Sequence, residues 1–134
     1  MRHTPIPLHQ EQRQWLIRQL LRETIRREDV IREIREILRS ILSHAEGLLS
    51  DVRQEYLDLS NDSVLRRRYR ERVEAFFKQA TSIINSLRVS IKRLGDGTEE
   101  DFLMHRLERA EALIERTYDM CLLLISGGAD VLNG

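Results

Sequence analysis

Apolar residues recur along this chain at alternating intervals of three and four positions, and the longest such run lies in the first half. This spacing places them on one side of a helix, in a seam that packs lengthwise against other helices. Nothing between Leu8 and Leu59 forces the helix to stop, since a helix tolerates Gly47 at roughly 1 kcal/mol relative to alanine. The seam consists of Ile31, Ile34, Leu38, Ile41, Ala45, Leu48 and Val52. It predicts a helix over about 28–58.

Towards the N-terminus the same register continues but is interrupted. Ile17 and Leu20 fall on the seam, whereas polar residues occupy it for about two turns between 24 and 29. Two arrangements are consistent with this pattern. Either residues 9–26 bend away at 24–29 as a separate, shorter helix, or the helix continues straight and leaves the bundle to meet another subunit. We favour the bend.

Two further helices follow, and each has start or stop signals at its ends. Residues 59–63 supply the short polar side chains that accept hydrogen bonds from free amides, so a helix is expected over 62–94. Gly95 and Gly97 end this helix, because glycine accepts positive φ. Residues 98–101 then have the pattern of a capping box, which predicts a last helix over 99–126. The seams are Tyr69, Val73, Phe76, Ala80, Ile83, Leu87 and Leu94 in the first, and Leu103, Leu107, Ala110, Ile114, Thr117, Cys121 and Leu124 in the second.

Each seam is wider than a two-stranded coiled coil requires, because a further row of apolar residues follows it. This row consists of Leu42, Leu49 and Tyr56, then Phe77, Ile84 and Ile91, then Met104, Tyr118 and Ile125. A face of this width suits a helix with two or more neighbours. The pattern predicts an all-α protein: an antiparallel, four-helix-bundle-like arrangement of three long helices plus a shorter N-terminal helix, with coiled-coil-type packing. We expect a flexible N-terminus at 1–8, a single bundle domain at 9–126 and a C-terminal tail at 127–134.

The apolar surface exceeds what one bundle needs. Residues 120–125 are apolar on every side of the helix, and monomers seldom expose a contiguous patch of that kind. We therefore expect Leu122 and Leu123 to contact another subunit or a helical protein partner. Trp15 is a third candidate partner-binding residue, because tryptophan buries a large area at low entropic cost. The alternative is that the N-terminal helix and the tail cover 120–125, and that Trp15 packs back on the bundle.

The composition limits the classes of protein to which the chain can belong. The 134 residues suit one compact domain, and basic and acidic residues cancel at 22 each, so no bulk charge attracts nucleic acid or an anionic membrane. The first residues lack the apolar stretch of a signal peptide, and the longest apolar run is too short to span a bilayer. The lone Cys121 allows no internal disulfide, as expected in a reducing compartment. We expect a cytoplasmic protein without a transmembrane segment.

Charge is segregated between the last two helices. Residues 64–94 hold nine basic and two acidic residues, a balance of +7, whereas residues 95–134 hold three basic and nine acidic residues, a balance of −6. One interpretation is that the two helices attract along their flanks, which sets their orientation. The other concerns five arginines within 66–72, which surround the helix and match phosphate bidentately. The candidate nucleic-acid-binding residues are Arg66, Arg67 and Arg70.

Arg39 and His44 are separated by four residues, a spacing that resembles the catalytic pair of HEPN ribonucleases, which are also helical bundles. The resemblance covers six residues. It implies a ribonuclease in which His44 acts as acid or base and Arg39 binds the phosphate. Five residues of helix set the two side chains roughly 140° apart, so we expect them to act together only across a dimer. The alternative is an exposed arginine and a histidine at the edge of the core.

The remaining ligand-type side chains do not converge. His105, Glu108 and Glu115 lie on the outer face when the seam points inward, which favours a solvated acidic face over a metal site. No glycine-rich phosphate loop or nucleophile elbow occurs in the sequence. We expect no cofactor, no small-molecule substrate and no catalysis. The sequence favours a non-enzymatic, homo-oligomeric assembly or protein–protein interaction module, with nucleic-acid binding and then the HEPN-like ribonuclease as alternatives.

Overall fold

The residues that the structure describes form four helices and no strand. The computed structural model of the protein describes the backbone of residues 5–127 and the side chains of residues 11 and 13–127. The helices are α1 (Pro5–Gln54), α2 (Tyr56–Asn61), α3 (Ser63–Arg93) and α4 (Thr98–Ile125). The all-α class is confirmed. Residues 1–4 and 128–134, which include half of the expected flexible N-terminus and most of the expected tail, lie outside the described residues.

The chain divides into two compact units, residues 1–34 and 35–134, where we predicted one domain over 9–126. The helix α1 contributes residues to both units. It already includes residues 5–8, for which we predicted a flexible segment. The division falls after the stretch in which the apolar seam is interrupted.

The first unit is formed by the N-terminal part of α1, which continues without a break through 24–29. The predicted bend is absent, and the separate helix over 9–26 is therefore wrong. None of these residues is a glycine or a proline, so the interrupted seam removes apolar contacts without removing the backbone hydrogen bonds of the helix. The hydroxyl of Thr24 donates to the carbonyl oxygen of Leu20 at 2.9 Å, so this polar group is also satisfied within the helix.

In the second unit, residues 35–54 of α1 share a core with the other three helices. One cluster of buried residues joins all four: Leu48 and Val52 of α1, Leu59 of α2, Val73 of α3, and Cys121 and Ile125 of α4. Two ion pairs also join these helices. Arg88 of α3 donates to the carboxylate of Glu111 of α4 at 2.7 Å, and Arg72 of α3 donates to Asp51 of α1 at 2.9 Å. The basic helix α3 therefore pairs with acidic residues on both neighbours.

The seam predicted for α1 is confirmed, since every one of its seven residues is buried. In α3 and α4 the predicted seam is buried only in part, and its half-buried members are Tyr69, Phe76, Ile83 and Leu94 of α3 and Thr117 and Leu124 of α4. Three members of the further apolar row are buried as well: Ile84, Ile91 and Ile125. A straight helix has 3.6 residues per turn, so a seam read at 3.5 drifts by about 20° per heptad and reaches the adjacent row.

The short helix α2 was not predicted. We expected the first long helix to reach residue 58, but it ends at Gln54, and Glu55 takes φ −93° and ψ 8° before α2 begins. Leu59 of α2, which is 1% exposed, is buried in the shared cluster. Burial of a leucine stabilises the fold by about 1.5–3 kcal/mol.

The start of α3 follows the prediction, and the start of α4 does not. The carboxylate of Asp62 accepts from the backbone amides of Val64 and Leu65 at 3.0 and 3.1 Å, as expected of an N-cap. The N-cap of α4 is Gly97, which makes no side-chain cap, and Thr98 is already helical, so the capping box predicted at 98–101 is wrong. The first carbonyl to accept belongs to Gly97. Gly95 has φ 96°, as its role in ending α3 requires.

Candidate interaction surface

The apolar residues of α1 between 15 and 25 are exposed. They are Trp15, Leu16, Ile17, Leu20, Leu21 and Ile25, each with between 54% and 62% of its surface exposed. The other large exposed hydrophobic residues of the described chain are spread over three helices: Leu57, Val64, Val89, Phe102, Leu113 and Leu123. Single exposed apolar side chains are normal, whereas a contiguous set of this kind marks an interaction surface.

Five of these six residues lie on one side of the helix. At about 100° per residue, Ile17 and Thr24 define the middle of this side, Leu20 and Leu21 lie about 50° to either side, and Leu16 and Ile25 about 90°. Leu16, Ile17, Leu20, Leu21 and Ile25 are called the α1 face below. The face spans about half of the helix circumference, which is the width that a partner helix covers.

Trp15 does not belong to the α1 face. It lies about 170° from the middle of the face, on the side of the helix that carries Arg18, Arg22 and Arg26. It is 59% exposed. A partner that covers the α1 face therefore leaves Trp15 in solvent, and partner binding by Trp15 itself stays a prediction.

The apolar end of α4 is largely occupied by the core of its own unit. Cys121 and Ile125 are fully buried, and Leu122 is half-buried against the shared cluster. Leu123 points outward and is 46% exposed. The sequence pattern did not show which of these residues the core of the second unit uses. Contact of Leu122 and Leu123 with another subunit stays a prediction.

The thiol of Cys121 is enclosed at this end of the core. Burial raises the pKa of Cys121 above its ordinary value of 9.0, and the positive charge of Arg53 partly opposes that shift. A thiol held protonated in this way is a poor nucleophile and a poor metal ligand, because both roles belong to the thiolate. The side chain is a packing residue of the core.

Of the five arginines at the start of α3, Arg66 is half-buried and the other four are exposed. The guanidinium of Arg66 donates to the carbonyl oxygens of Leu59 and Ser60, at 2.8 and 3.2 Å, near the end of α2. Arg67 and Arg70 are exposed. Sequence reasoning missed the structural role of Arg66 because it did not predict α2, whose carbonyls the side chain satisfies. Nucleic-acid binding by this run stays a prediction.

Replacing Arg66 by alanine should lower the free energy of unfolding by about 1.5–3 kcal/mol, because two carbonyl groups at the end of α2 lose a charged donor. Urea denaturation followed by circular dichroism measures the change. The matched control is Arg67→Ala, which removes an equal charge from an exposed neighbour and should change stability by no more than about 0.5 kcal/mol. Equal stability of the two variants would contradict the capping role.

Arg39 and His44 lie in different grooves of the second unit. Arg39 lines a groove between α1 and α4, together with Arg106, whereas His44 lines a groove between α1 and α3, beside Phe76. The Nδ1 atom of His44 lies 2.8 Å from the carbonyl oxygen of Ser40. A single chain does not bring the two side chains to one site. Their use together in a HEPN-like site across a dimer stays a prediction.

Within the part of the chain that the structure describes, no three or more histidine, cysteine, aspartate or glutamate side chains are grouped so that they could hold a metal ion. His105, Glu108 and Glu115 are exposed on α4. Among the described residues, no helix has the length and apolar character needed to cross a membrane.

Comparison with protein-family models, with curated proteins and with solved structures finds no match to this chain.

Proposed function

We propose that the protein is a non-enzymatic helical-bundle module that assembles with other copies of itself through apolar helix surfaces. The observation that carries the proposal is the exposed α1 face, whose side chains are 54–62% exposed in the isolated chain. Apolar surface removed from water contributes about 25 cal/mol per Å² to an association, and this gain offsets the entropic cost of bringing two chains together. A soluble chain that keeps such a face has a use for it in binding.

The proposal also covers the arrangement of the helices in the second unit. We include in the proposal that its helices form an antiparallel bundle with coiled-coil-type packing. Two contacts support this orientation: Phe77 stacks on Tyr118 with ring centroids 4.1 Å apart, and Arg88 pairs with Glu111, so numbers that rise along α3 fall along α4. The two closely packed pairs hold the helices in one register.

The proposed location is the cytoplasm. The chain has one cysteine, and its thiol is free and buried. A free thiol is stable in a reducing compartment, where disulfides are rare.

Replacing Leu20 by glutamate is the test of this proposal. Light scattering of the wild-type protein should give a mass that is a multiple of 15.9 kDa, the mass of one chain. The Leu20→Glu variant should have the mass of one chain, because a charge within the α1 face removes about 2 kcal/mol of apolar contact per copy. In a dimer this raises the dissociation constant about a thousandfold.

The matched control is Gln19→Glu, which adds the same charge at the adjacent position, about 150° from the middle of the α1 face. This variant should keep the wild-type mass, and circular dichroism should show equal helix content in all three proteins. A wild-type mass of one chain, or an oligomer that the Leu20→Glu variant leaves intact, would overturn the proposed assembly through α1.

A further inference from the structure

We infer that the α1 face pairs with the α1 face of a second copy, and that the two helices run antiparallel about a two-fold axis between Leu20 and Leu21. This inference rests on the proposed function and names the partner and the geometry. In such a symmetric contact the same patch serves both subunits, so each pair of residues occurs twice.

The charges that flank the α1 face determine the relative orientation of the two paired helices. Arg13 and Glu28 lie at its two ends, each about 30° from the line through Ile17 and Thr24. Both are exposed, and neither pairs with a residue of its own chain that the structure describes. They are equidistant in sequence from the point between Leu20 and Leu21. Antiparallel pairing therefore brings Arg13 of each copy beside Glu28 of the other.

Parallel pairing has the opposite electrostatic result. It sets Arg13 beside Arg13 at one end and Glu28 beside Glu28 at the other. Juxtaposed like charges at an interface disfavour the wrong arrangement and so give specificity. The charge pattern of this helix selects the antiparallel pair.

The residues between these charges fit the same register. Leu20 lies level with Leu21 of the second copy, and Ile17 lies level with Thr24. Threonine is the polar residue in the middle of the face, but its hydroxyl already donates to the carbonyl of Leu20 at 2.9 Å. Burial of Thr24 against Ile17 therefore leaves no donor unsatisfied, which removes the main cost of enclosing it.

The area of the α1 face matches the smaller stable interfaces. Five large apolar side chains, each more than half exposed, together offer roughly 500 Å² per copy, and the flanking side chains bring the total for two copies to roughly 1,200 Å². That is the lower bound of specific protein interfaces. A second copy of the chain offers the same five side chains. Two copies therefore form a contact of this size without any other component.

Single-cysteine cross-linking tests the geometry in the full-length chain, with Cys121→Ala as the background. Oxidation should convert the Leu20→Cys variant into a covalent dimer, because the two copies of this position meet at the two-fold axis. The Glu28→Cys variant is the matched control. Its two copies lie about 22 Å apart in the antiparallel pair and should not cross-link alone, since a disulfide needs Cα atoms within about 7 Å. A mixture of Arg13→Cys and Glu28→Cys chains should form the mixed dimer.

Charge exchange provides a second readout that needs no cysteine. Arg13→Glu and Glu28→Arg should each raise the dissociation constant of the dimer about tenfold, and the double variant should restore it to within about twofold of wild type. No restoration in the double variant would overturn the pairing of these two residues.

The results separate this inference from the proposed function. A dimer in which Glu28→Cys cross-links as readily as Leu20→Cys overturns the antiparallel pairing and leaves assembly through the α1 face intact. An oligomer that shows no cross-link at either position places the contact elsewhere and overturns the inference. A mass of one chain overturns both, and leaves the α1 face for a different occupant.

Discussion

The Leu107→Ala variant is expected to unfold with a free energy about 2–5 kcal/mol below that of the wild-type protein. Leu107 is 0% exposed on α4, so its side chain is enclosed by neighbours that relax only in part when it is removed. The loss combines the transfer energy of the missing carbon atoms with the cost of a cavity. Since small domains have only 5–15 kcal/mol of stability, this one change removes a large share of it. Urea denaturation of the two proteins measures the difference.

The matched control lies on the same helix. Leu113 is 47% exposed, and Leu113→Ala should change the free energy of unfolding by no more than about 0.5 kcal/mol. If the two variants lost equal stability, Leu107 would not occupy the core of the second unit. The free energy of unfolding should fall with urea concentration at the same slope in both variants, which would show that they unfold from the same compact state.

Cys121 is expected to react with a thiol reagent at least about a hundredfold more slowly in the folded protein than in the urea-unfolded chain. Two properties cause this protection. The side chain is 0% exposed, so the reagent gains access only when α4 opens, and burial raises the pKa of the thiol, which lowers the fraction of reactive thiolate. Absorbance of the released product, followed over time at pH 8, measures both rates.

A second thiol position gives the comparison. In the Cys121→Ala background, the Leu123→Cys variant carries its thiol on the same turn of helix, where the wild-type leucine is 46% exposed. It should react within about tenfold of the unfolded chain, because no opening of the helix is needed. Fast labelling of Cys121 in the folded wild-type protein would contradict the enclosed position of that thiol.

The periodicity of apolar residues predicted the buried side of each long helix well, because that side depends on spacing that is present in the chain itself. Ile31, Leu38 and Val52 are buried as their spacing required. The same reasoning failed at 24–29. A lapse in apolar spacing indicates a loss of packing, and a helix without glycine or proline continues through such a lapse on its own hydrogen bonds.

Two features of the candidate surfaces could not be predicted from the sequence pattern, for a different reason. The turn at Glu55 has no glycine or proline to mark it, so α2 was missed, and with it the hydrogen bonds that Arg66 makes to the carbonyls of that helix. The exposure of Leu20 and Leu21 depends on whether any other element covers them, which spacing alone does not reveal. The sequence placed Ile17 and Leu20 on the apolar seam, and the structure shows that these side chains are in solvent.

The position of Trp15 gives the protein an internal spectroscopic label. It is the sole tryptophan, it belongs to the first unit, and all three tyrosines, Tyr56, Tyr69 and Tyr118, belong to the second. Tryptophan emission therefore reports on the N-terminal part of α1, whereas the near-ultraviolet dichroism of the stacked Tyr118 reports on the second unit. The melting of the two units can be followed separately in the unlabelled wild-type chain.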